Sequence, residues 1–203
     1  MSVLRIVRVA TWAAIATIAA GTAAIYVLGQ GNGGIATTIS SGKAAIGGPF
    51  SLVSHKGERV SDETLRGKPY LAFFGFTNCP DICPTTLFEL SEMMAELGAD
   101  ADKFNVLLIT VDPERDSQDL LATYMTAFDP RIIALRGTRE ETDAVVKSFA
   151  AAAIKVPTDG GNYTMEHTAG VYLMDENGEY AGLMRMDEPR EQRMQALRNL
   201  AAS

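Results

Sequence analysis

The stretch YLAFFGFTNCPDICPTTL, residues 70–87, joins an apolar run to both cysteines of the chain. Its first part, YLAFFGF (70–76), is uninterrupted and rich in aromatic residues, which predicts a central strand buried on both faces. From Leu87 onward apolar residues recur at helical spacing, and a glycine ends the pattern. Cys79 and Cys83 are therefore predicted to lie between a buried strand and the start of a helix.

Strands and helices alternate through the rest of the chain after this stretch, which indicates parallel strand pairing. The other predicted elements are strands at 104–112 and 131–137, helices at 116–128, 138–152 and from Glu188, and hairpins at 50–60 and 168–184. Asp116 or Ser117 is predicted to cap the first of these helices. Thr138 and Glu141 form a capping-box pattern at the second. The order resembles the thioredoxin-like layout, so we predict an α/β fold with a central mixed sheet flanked by helices.

The N-terminal region contains twenty consecutive uncharged residues, VATWAAIATIAAGTAAIYVL (9–28). As a helix, this segment is long enough to cross a hydrocarbon core of about 30 Å. Arg5 and Arg8 precede it, and positive charge on that side predicts a cytoplasmic N-terminus. A cleaved signal peptide is the alternative, but its apolar region usually has only about 7–15 residues. We therefore predict a single-pass anchor in the inner (cytoplasmic) membrane.

This anchor divides the chain into four predicted parts. They are a cytoplasmic N-terminus (1–8), a transmembrane helix (9–28), a flexible linker (29–47) and a periplasmic thioredoxin-like domain (48–203). The linker is assigned from its glycine and serine residues, which are typical of a tether. The anchor's orientation places the last part in the periplasm.

The overall composition fits a globular protein, with 47% hydrophobic and 21% charged residues. The formal net charge is −7, and no run of lysines or arginines interrupts the chain. Because nucleic-acid binding needs a dense cationic surface, we expect no nucleic-acid partner.

Cys79 and Cys83 are separated by three residues and are the only cysteines in the sequence. Pro84 suits the first turn of a helix, which predicts Cys83 at or next to the helix N-cap. The partial positive charge of a helix N-terminus favours a thiolate, the form that attacks disulfides and binds soft metals such as Cu(I). A redox pair and a metal site both stay open here, beside the plainer alternative of two buried cysteines.

The two histidines of the chain lie in different contexts. His55 falls in a predicted hairpin turn, where a solvated side chain is expected. His167 is the last residue of a polar, glycine-bearing loop (155–167) and directly precedes a predicted strand. In a thioredoxin-like layout this segment faces the cysteine loop, so His167 would complete a Cys–Cys–His set. A loop histidine bonded to a backbone carbonyl is the alternative.

Two acidic residues are candidates for tuning the cysteine site. Asp112 ends the second buried strand, at the edge where ligand sites of parallel sheets gather. It either orients the site indirectly or bonds a backbone amide in the following turn. Asp81 stands between the cysteines, where it either caps the helix or tunes the thiols. Arg115 is expected to pair with Asp116 or Glu114 in solvent.

Three stretches together resemble the Sco/SenC family. They are FFGFTNCPDICPTTL (73–87), LITVDPERDS with the following LLATYMTAFDPRIIALRGT (108–117 and 120–138), and NYTMEHTAGVYLMDENG (162–178). The family comprises membrane-anchored, thioredoxin-fold copper proteins that assemble the dinuclear Cu-A centre of cytochrome c oxidase subunit II. The resemblance implies that Cys79, Cys83 and His167 are copper ligands and that Asp112 is a nearby acid. Glu166 departs from the aspartate usual in the family but keeps its charge.

The resemblance therefore implies a copper chaperone that delivers Cu(I) or Cu(II) to the Cu-A site of subunit II, or prepares that site. A copper donor and a periplasmic thiol reductant are implied as further partners. A periplasmic thiol:disulfide oxidoreductase is the alternative function. In that alternative Cys79 and Cys83 are the redox pair that reduces the acceptor's cysteines.

Overall fold

The structure is a computed structural model that describes residues 46–202 and, in addition, Trp12 and Thr17. Among the residues described, none of the helices has both the length and the apolar character that a membrane span requires. The predicted transmembrane helix, 9–28, lies outside the described residues apart from those two positions. The anchor and the four-part division of the chain stay predictions.

Nine strands and five α-helices make up the described segment 46–202. The strands are β1 (Ser51–Ser54), β2 (Arg59–Ser61), β3 (Tyr70–Gly75), β4 (Asn105–Thr110), β5 (Ile132–Arg136), β6 (Ala153–Pro157), β7 (Tyr163–His167), β8 (Val171–Met174) and β9 (Tyr180–Met184). The helices are α1 (Asp62–Leu65), α2 (Ile82–Leu97), α3 (Gln118–Met125), α4 (Arg139–Ser148) and α5 (Arg190–Ala201). Short 3₁₀ turns occur at Gly98–Lys103 and Asp159–Gly161.

Seven of these strands form one mixed sheet in the order β2-β1-β5-β4-β3-β8-β9. The central strands β3, β4 and β5 run parallel, whereas β1, β2, β8 and β9 pair antiparallel on the two sides. The parallel pairs follow from the alternation of strands and helices, since a parallel connection needs a crossover. The predicted thioredoxin-like fold with a central mixed sheet is confirmed.

The apolar run 70–76 contains β3 at the centre of the sheet and is buried, as its composition predicts. Every residue of β3 is buried, because β4 and β8 flank the strand and both of its faces are covered. Gly75 at the end of β3 is in register with Thr110 at the end of β4. The two carboxyl ends therefore meet at one edge of the sheet, and the cysteine loop leaves β3 there.

The helix starts follow the predicted capping chemistry, although α3 and α4 are shorter than predicted. The Ser117 hydroxyl accepts a hydrogen bond from the Leu120 amide at 3.2 Å. At α4, the Thr138 hydroxyl accepts from the Glu141 amide and the Glu141 carboxylate accepts from the Thr138 amide. The capping box is confirmed, and Ser117 rather than Asp116 caps α3.

The prediction of an irregular polar loop over 155–167 is wrong, because β6 and β7 pair there as an antiparallel two-stranded sheet. Gly160 and Gly161 adopt φ values of +75° and +78° in the connecting turn, a conformation that glycine tolerates. Most side chains of the pair are polar or partly exposed, so no alternating apolar pattern marks the strands. We call this pair the β6–β7 ribbon; it shares no strand pairing with the seven-stranded sheet.

Candidate metal centre

The two cysteines lie at the junction between β3 and α2. Asp81 is the N-cap of α2, and Cys83 is the second helical residue. The Cys83 side chain is fully buried, whereas Cys79 is partly exposed. The Cys83 amide donates a hydrogen bond to the sulfur of Cys79 at 3.4 Å. A free amide of the first helical turn therefore points at one of the two thiols.

His167 ends β7 and brings its imidazole to the same place. Its Nε2 lies 3.3 Å from the sulfur of Cys83. Its Nδ1 lies 3.1 Å from the Thr168 carbonyl oxygen, which only accepts hydrogen bonds, so Nδ1 carries the proton. Phe73 and Phe76 contact the imidazole edge-on, with ring centroids 6.0 and 5.8 Å from it. The Nε2 lone pair is thus directed at the cysteine.

The two sulfurs and the imidazole nitrogen all lie within 4.8 Å of one another. The structure therefore brings together Cys79, Cys83 and His167, which the sequence predicted to share a site. Thiolate sulfur and imidazole nitrogen are donors suited to soft and borderline metals, with Cu(I) among those that thiolates favour. The arrangement is chemically capable of holding such an ion.

Burial decides the protonation of two of these groups. It raises the pKa of the Cys83 thiol far above its ordinary value, and the adjacent Cys79 adds to this effect. Burial also lowers the pKa of His167, although the hydrogen bond to the Thr168 carbonyl opposes the change. The helix N-terminus was expected to favour a thiolate, but for Cys83 the loss of solvent outweighs that effect and favours the thiol. Without a metal, Cys83 keeps its proton and His167 is neutral.

Asp81 does not have the capping role that the sequence allowed. Its backbone occupies the N-cap position, but its side chain forms no hydrogen bond with the amides of α2. The carboxylate accepts a 3.4 Å hydrogen bond from the Thr85 hydroxyl and is exposed. It lies instead at the edge of a groove that opens beside Cys79.

Asp112 is buried at the carboxyl end of β4, yet its carboxylate binds Arg115 and Tyr163 rather than a residue of the Cys–Cys–His set. One oxygen accepts from Nε of Arg115, and the other accepts from the Tyr163 hydroxyl at 2.9 Å. The expectation that Arg115 pairs with Asp116 or Glu114 in solvent is wrong, because its partner is the buried Asp112. Asp112 reaches the site indirectly, through Arg115 and through Tyr163, the first residue of β7.

Asp116 is a functional residue that the sequence analysis missed. Its buried carboxylate accepts hydrogen bonds from the Thr77 amide at 3.2 Å, the Thr77 hydroxyl at 2.6 Å and the Thr110 hydroxyl. Thr77 precedes Cys79 by two residues, so Asp116 fixes the start of the cysteine loop against the end of β4. Burial raises the pKa of Asp116 despite these bonds. The only sequence signal was a second aspartate in VDPERD (111–116), at its last position.

The predicted solvated role of His55 is wrong. Its Nδ1 accepts a hydrogen bond from the Ala134 amide at 3.1 Å, and its own amide donates to the Ala134 carbonyl at 2.8 Å. Burial lowers its pKa. His55 therefore extends the pairing of β1 with β5 and lies outside the metal centre.

A groove of about 340 Å³ opens beside the three donors. Cys79, Asp81, Ile82, Glu166 and His167 are among the residues that line it. The Ile82 side chain is 50% exposed and also lines a neighbouring groove of about 450 Å³. Cys79 and His167 are thus reachable from solvent on one side, between two carboxylates and an apolar surface, whereas Cys83 is buried behind them.

Fold and site together define a thioredoxin-like protein with a Cys–Cys–His set at the carboxyl edge of its sheet. The family profile described as SCO1/SenC matches residues 38–202, and the chain belongs to this family. A solved structure of Bradyrhizobium japonicum ScoI with copper bound is 46% identical and superposes with a TM-score of 0.72. That similarity covers 77% of this chain and 99% of the other.

Further relatives extend this likeness. The mitochondrial SCO1 homolog of Homo sapiens is 38% identical over 142 residues, which cover 68% of this chain and 47% of the relative. A SCO2-like protein of Rickettsia prowazekii is 35% identical over 159 residues, with 77% and 78% of the two chains covered. The chain therefore spans about half the length of the human relative and most of the rickettsial one.

Proposed function

We propose that this protein binds copper through Cys79, Cys83 and His167 and acts in the assembly of cytochrome c oxidase. In this role it delivers copper to the Cu-A site of subunit II, or prepares that site. The observation that carries the proposal is the convergence of two sulfurs and one imidazole nitrogen within 4.8 Å. The copper bound to ScoI of B. japonicum, 46% identical to this chain, supports the choice of metal.

The donor set suits Cu(I), which prefers soft thiolates. Copper displaces the protons of the two thiols, because the thiolate is the form that binds metals. His167 has no such proton to lose, since burial keeps it neutral and Thr168 holds its proton on Nδ1. The imidazole is therefore ready to bind through Nε2, and its hydrogen bond fixes the ring in that orientation.

The groove supplies a route for delivery. Asp81 and Glu166 border it, and their negative charges attract a cation toward the donors. Cys79 is the more exposed of the two sulfurs, so ligands of an acceptor reach the metal from its side. Copper then passes by exchange of one ligand at a time, while buried Cys83 holds it longest.

The test is an anaerobic copper titration of the reduced protein, with X-ray absorption used to identify sulfur and nitrogen ligands. His167→Ala is expected to lower copper affinity by more than about 100-fold and remove the nitrogen signal. His55→Ala is the matched control, because His55 is the chain's other histidine and binds the Ala134 backbone. Equal copper affinity in the two variants would refute the ligand assignment.

A second candidate function is thiol:disulfide exchange, which the unequal exposure of the cysteines favours. The Cys79 thiolate attacks an acceptor disulfide and forms a mixed disulfide, releasing one acceptor thiolate. Cys83, once deprotonated, attacks the Cys79 sulfur, breaks the mixed disulfide and releases the second acceptor thiolate, so the pair is oxidised to a disulfide and the acceptor receives two electrons. A thiol reductant must then restore the dithiol. His167→Ala is expected to keep this activity while losing copper.

The proposed location is the inner membrane, with one N-terminal span and the folded domain in the periplasm. The uncharged segment 9–28 and the arginines before it support this orientation. Fractionation of cells, with protease added to spheroplasts, tests it directly. The intact chain is expected to fractionate with the membrane, and protease added to spheroplasts is expected to degrade residues 48–203.

A further inference from the structure

We propose that Arg115 is a positioning residue that holds the β6–β7 ribbon, and with it His167, against the cysteine loop. The inference rests on the proposed function in one respect only, namely that His167 is a copper ligand. The placement of the imidazole is a separate matter and is measurable without metal.

The ribbon needs such a support because strand pairing does not provide one. Within residues 46–202, β6 and β7 pair with each other and with none of the seven strands of the main sheet. Both cysteines, by contrast, follow directly from β3 and α2. The position of His167 relative to Cys83 is therefore set by the three-residue link from β7 to β8 and by side-chain contacts between the ribbon and the rest of the fold, which include the buried Met165.

Arg115 makes several of these contacts, and most of them are to Tyr163. Its Nη1 donates to the Tyr163 carbonyl at 2.9 Å, and its guanidinium carbon lies 3.8 Å from the centroid of the Tyr163 ring. Its Nε binds Asp112, whose other oxygen accepts from the Tyr163 hydroxyl at 2.9 Å. The Arg115–Asp112 ion pair thus contacts the backbone carbonyl, the ring face and the hydroxyl of Tyr163.

The same guanidinium also approaches the cysteine loop. Its carbon lies 5.8 Å from the centroid of the Phe76 ring, and that ring lies 5.8 Å from the imidazole of His167. Tyr163 and His167 are four residues apart on β7, so their side chains point to the same side of the strand. Arg115 therefore connects to the first residue of β7 directly and to the last one through Phe76.

Arginine is specifically suited to this position. Its planar guanidinium stacks on an aromatic ring while its N–H groups bind a carboxylate and a carbonyl in fixed directions. Asp112 is fully buried, and only 24% of the Arg115 side chain is exposed, so solvent screens the pair weakly. A lysine keeps the charge but cannot make the stacked, divergent set of bonds.

The first test uses the reduced, metal-free protein. Arg115→Ala is expected to accelerate amide hydrogen exchange in residues 153–167 by about 10-fold or more, because the ribbon loses the attachment of Tyr163 to the rest of the fold. The NMR shifts of the His167 ring should move toward solvent values as the imidazole leaves Phe73 and Phe76. Arg115→Lys should show a smaller change of the same kind.

Arg131→Ala is the matched control. Arg131 is also partly buried and binds Asp129, Asp102 and the Gly98 carbonyl, but these contacts lie at the end of the sheet where β5 begins. Its removal should leave the exchange of 153–167 and the His167 signals unchanged. Unaltered ribbon exchange and unaltered His167 shifts in Arg115→Ala would overturn the proposal.

A copper titration then separates this inference from the function on which it rests. Arg115→Ala should weaken copper binding by about 10- to 100-fold, as expected when the support of a ligand is lost. Added to His167→Ala, it should cause no further loss; a full additional loss would overturn the positioning role. If His167→Ala alone keeps normal copper affinity, the ligand assignment fails, whereas ribbon displacement in Arg115→Ala still supports the placement claim.

Discussion

Gly75 stands directly against Cys83. A Cβ atom at position 75 would lie 3.0 Å from the sulfur of Cys83 and 3.0 Å from the Phe73 ring. Real Cβ atoms are rarely this close to another atom, so the last residue of β3 leaves the space that the buried thiol occupies. The position of one candidate ligand thus depends on the absence of a side chain on the neighbouring strand.

Gly75→Ala should therefore displace the Cys83 sulfur and weaken copper binding. The added methyl group overfills a packed region, which we expect to reduce the free energy of unfolding by about 1–3 kcal/mol. Gly182→Ala is the control, because its Cβ would meet only Leu173, at 3.9 Å. Urea unfolding and copper titration of the two variants provide the measurements. Unchanged copper affinity in Gly75→Ala would show that Cys83 has room to move.

Asp116→Ala should weaken the attachment of the cysteine loop to the end of β4. The variant leaves the Thr77 amide and the Thr77 and Thr110 hydroxyls without their shared acceptor, at a cost of about 1–3 kcal/mol. Copper affinity should fall as well, since Thr77 leads into Cys79. Asp119→Ala, at an exposed position in α3, should change the free energy of unfolding by less than about 0.5 kcal/mol. Equal unfolding curves for both variants would contradict the role assigned to Asp116.

The two thiols should differ in reactivity toward iodoacetamide. In the reduced, metal-free protein, we expect Cys79 to be modified about 10-fold or more faster than Cys83. Cys79 is partly exposed, whereas Cys83 is buried and its pKa is raised. Mass spectrometry of peptides taken at successive times gives the order of modification. Preferential labelling of Cys83 would mean that the helix start activates its thiol after all.

Copper affinity should rise with pH through the neutral range. The raised pKa of Cys83 means that copper must displace its proton, so affinity should increase about tenfold per pH unit for each proton released. His167 should not contribute between pH 7 and 9, because its pKa is lowered from 6.5 and the ring is already neutral there. His167→Ala should thus lower the affinity without changing this slope. An affinity independent of pH would indicate preformed thiolates.

Cys79→Ser and Cys83→Ser should each abolish high-affinity copper binding, because a serine hydroxyl is not a soft donor. In cells that carry either variant as the only copy, assembled oxidase should lack the Cu-A signal. Electron paramagnetic resonance of isolated membranes measures that signal. His55→Ala should leave it at the normal level. A normal Cu-A signal in both serine variants would refute the proposed function.

The sequence predicted the frame of the site because that frame rests on strong local patterns. The uninterrupted apolar run 70–76 could only be a buried strand, and β3 is buried throughout. Proline and helical spacing after Cys83 predicted the start of α2. These elements fix both cysteines at the carboxyl edge of the sheet, so the thiols' location followed from the chain alone.

The surroundings of the site were harder to predict because they depend on contacts between distant residues. The pattern of 153–167 did not indicate strands clearly, since the two strands are short and Met165 is the only one of their ten residues that is buried. Asp116 resembles an ordinary helix cap until the fold brings Thr77 beside it. The raised pKa of Cys83 has the same origin, because the burial that outweighs the helix terminus arises only when the chain folds.

The separation of the β6–β7 ribbon from the main sheet has an evolutionary consequence. A residue within a seven-stranded sheet is tied to the register of all its neighbours, so replacing it risks the stability of the whole domain. Within residues 46–202, His167 stands at the end of a strand that pairs with β6 and with no strand of the main sheet. The third donor can therefore be exchanged, shifted or lost while the thiol pair and its sheet remain folded, which makes metal choice and stability separately adjustable in this architecture.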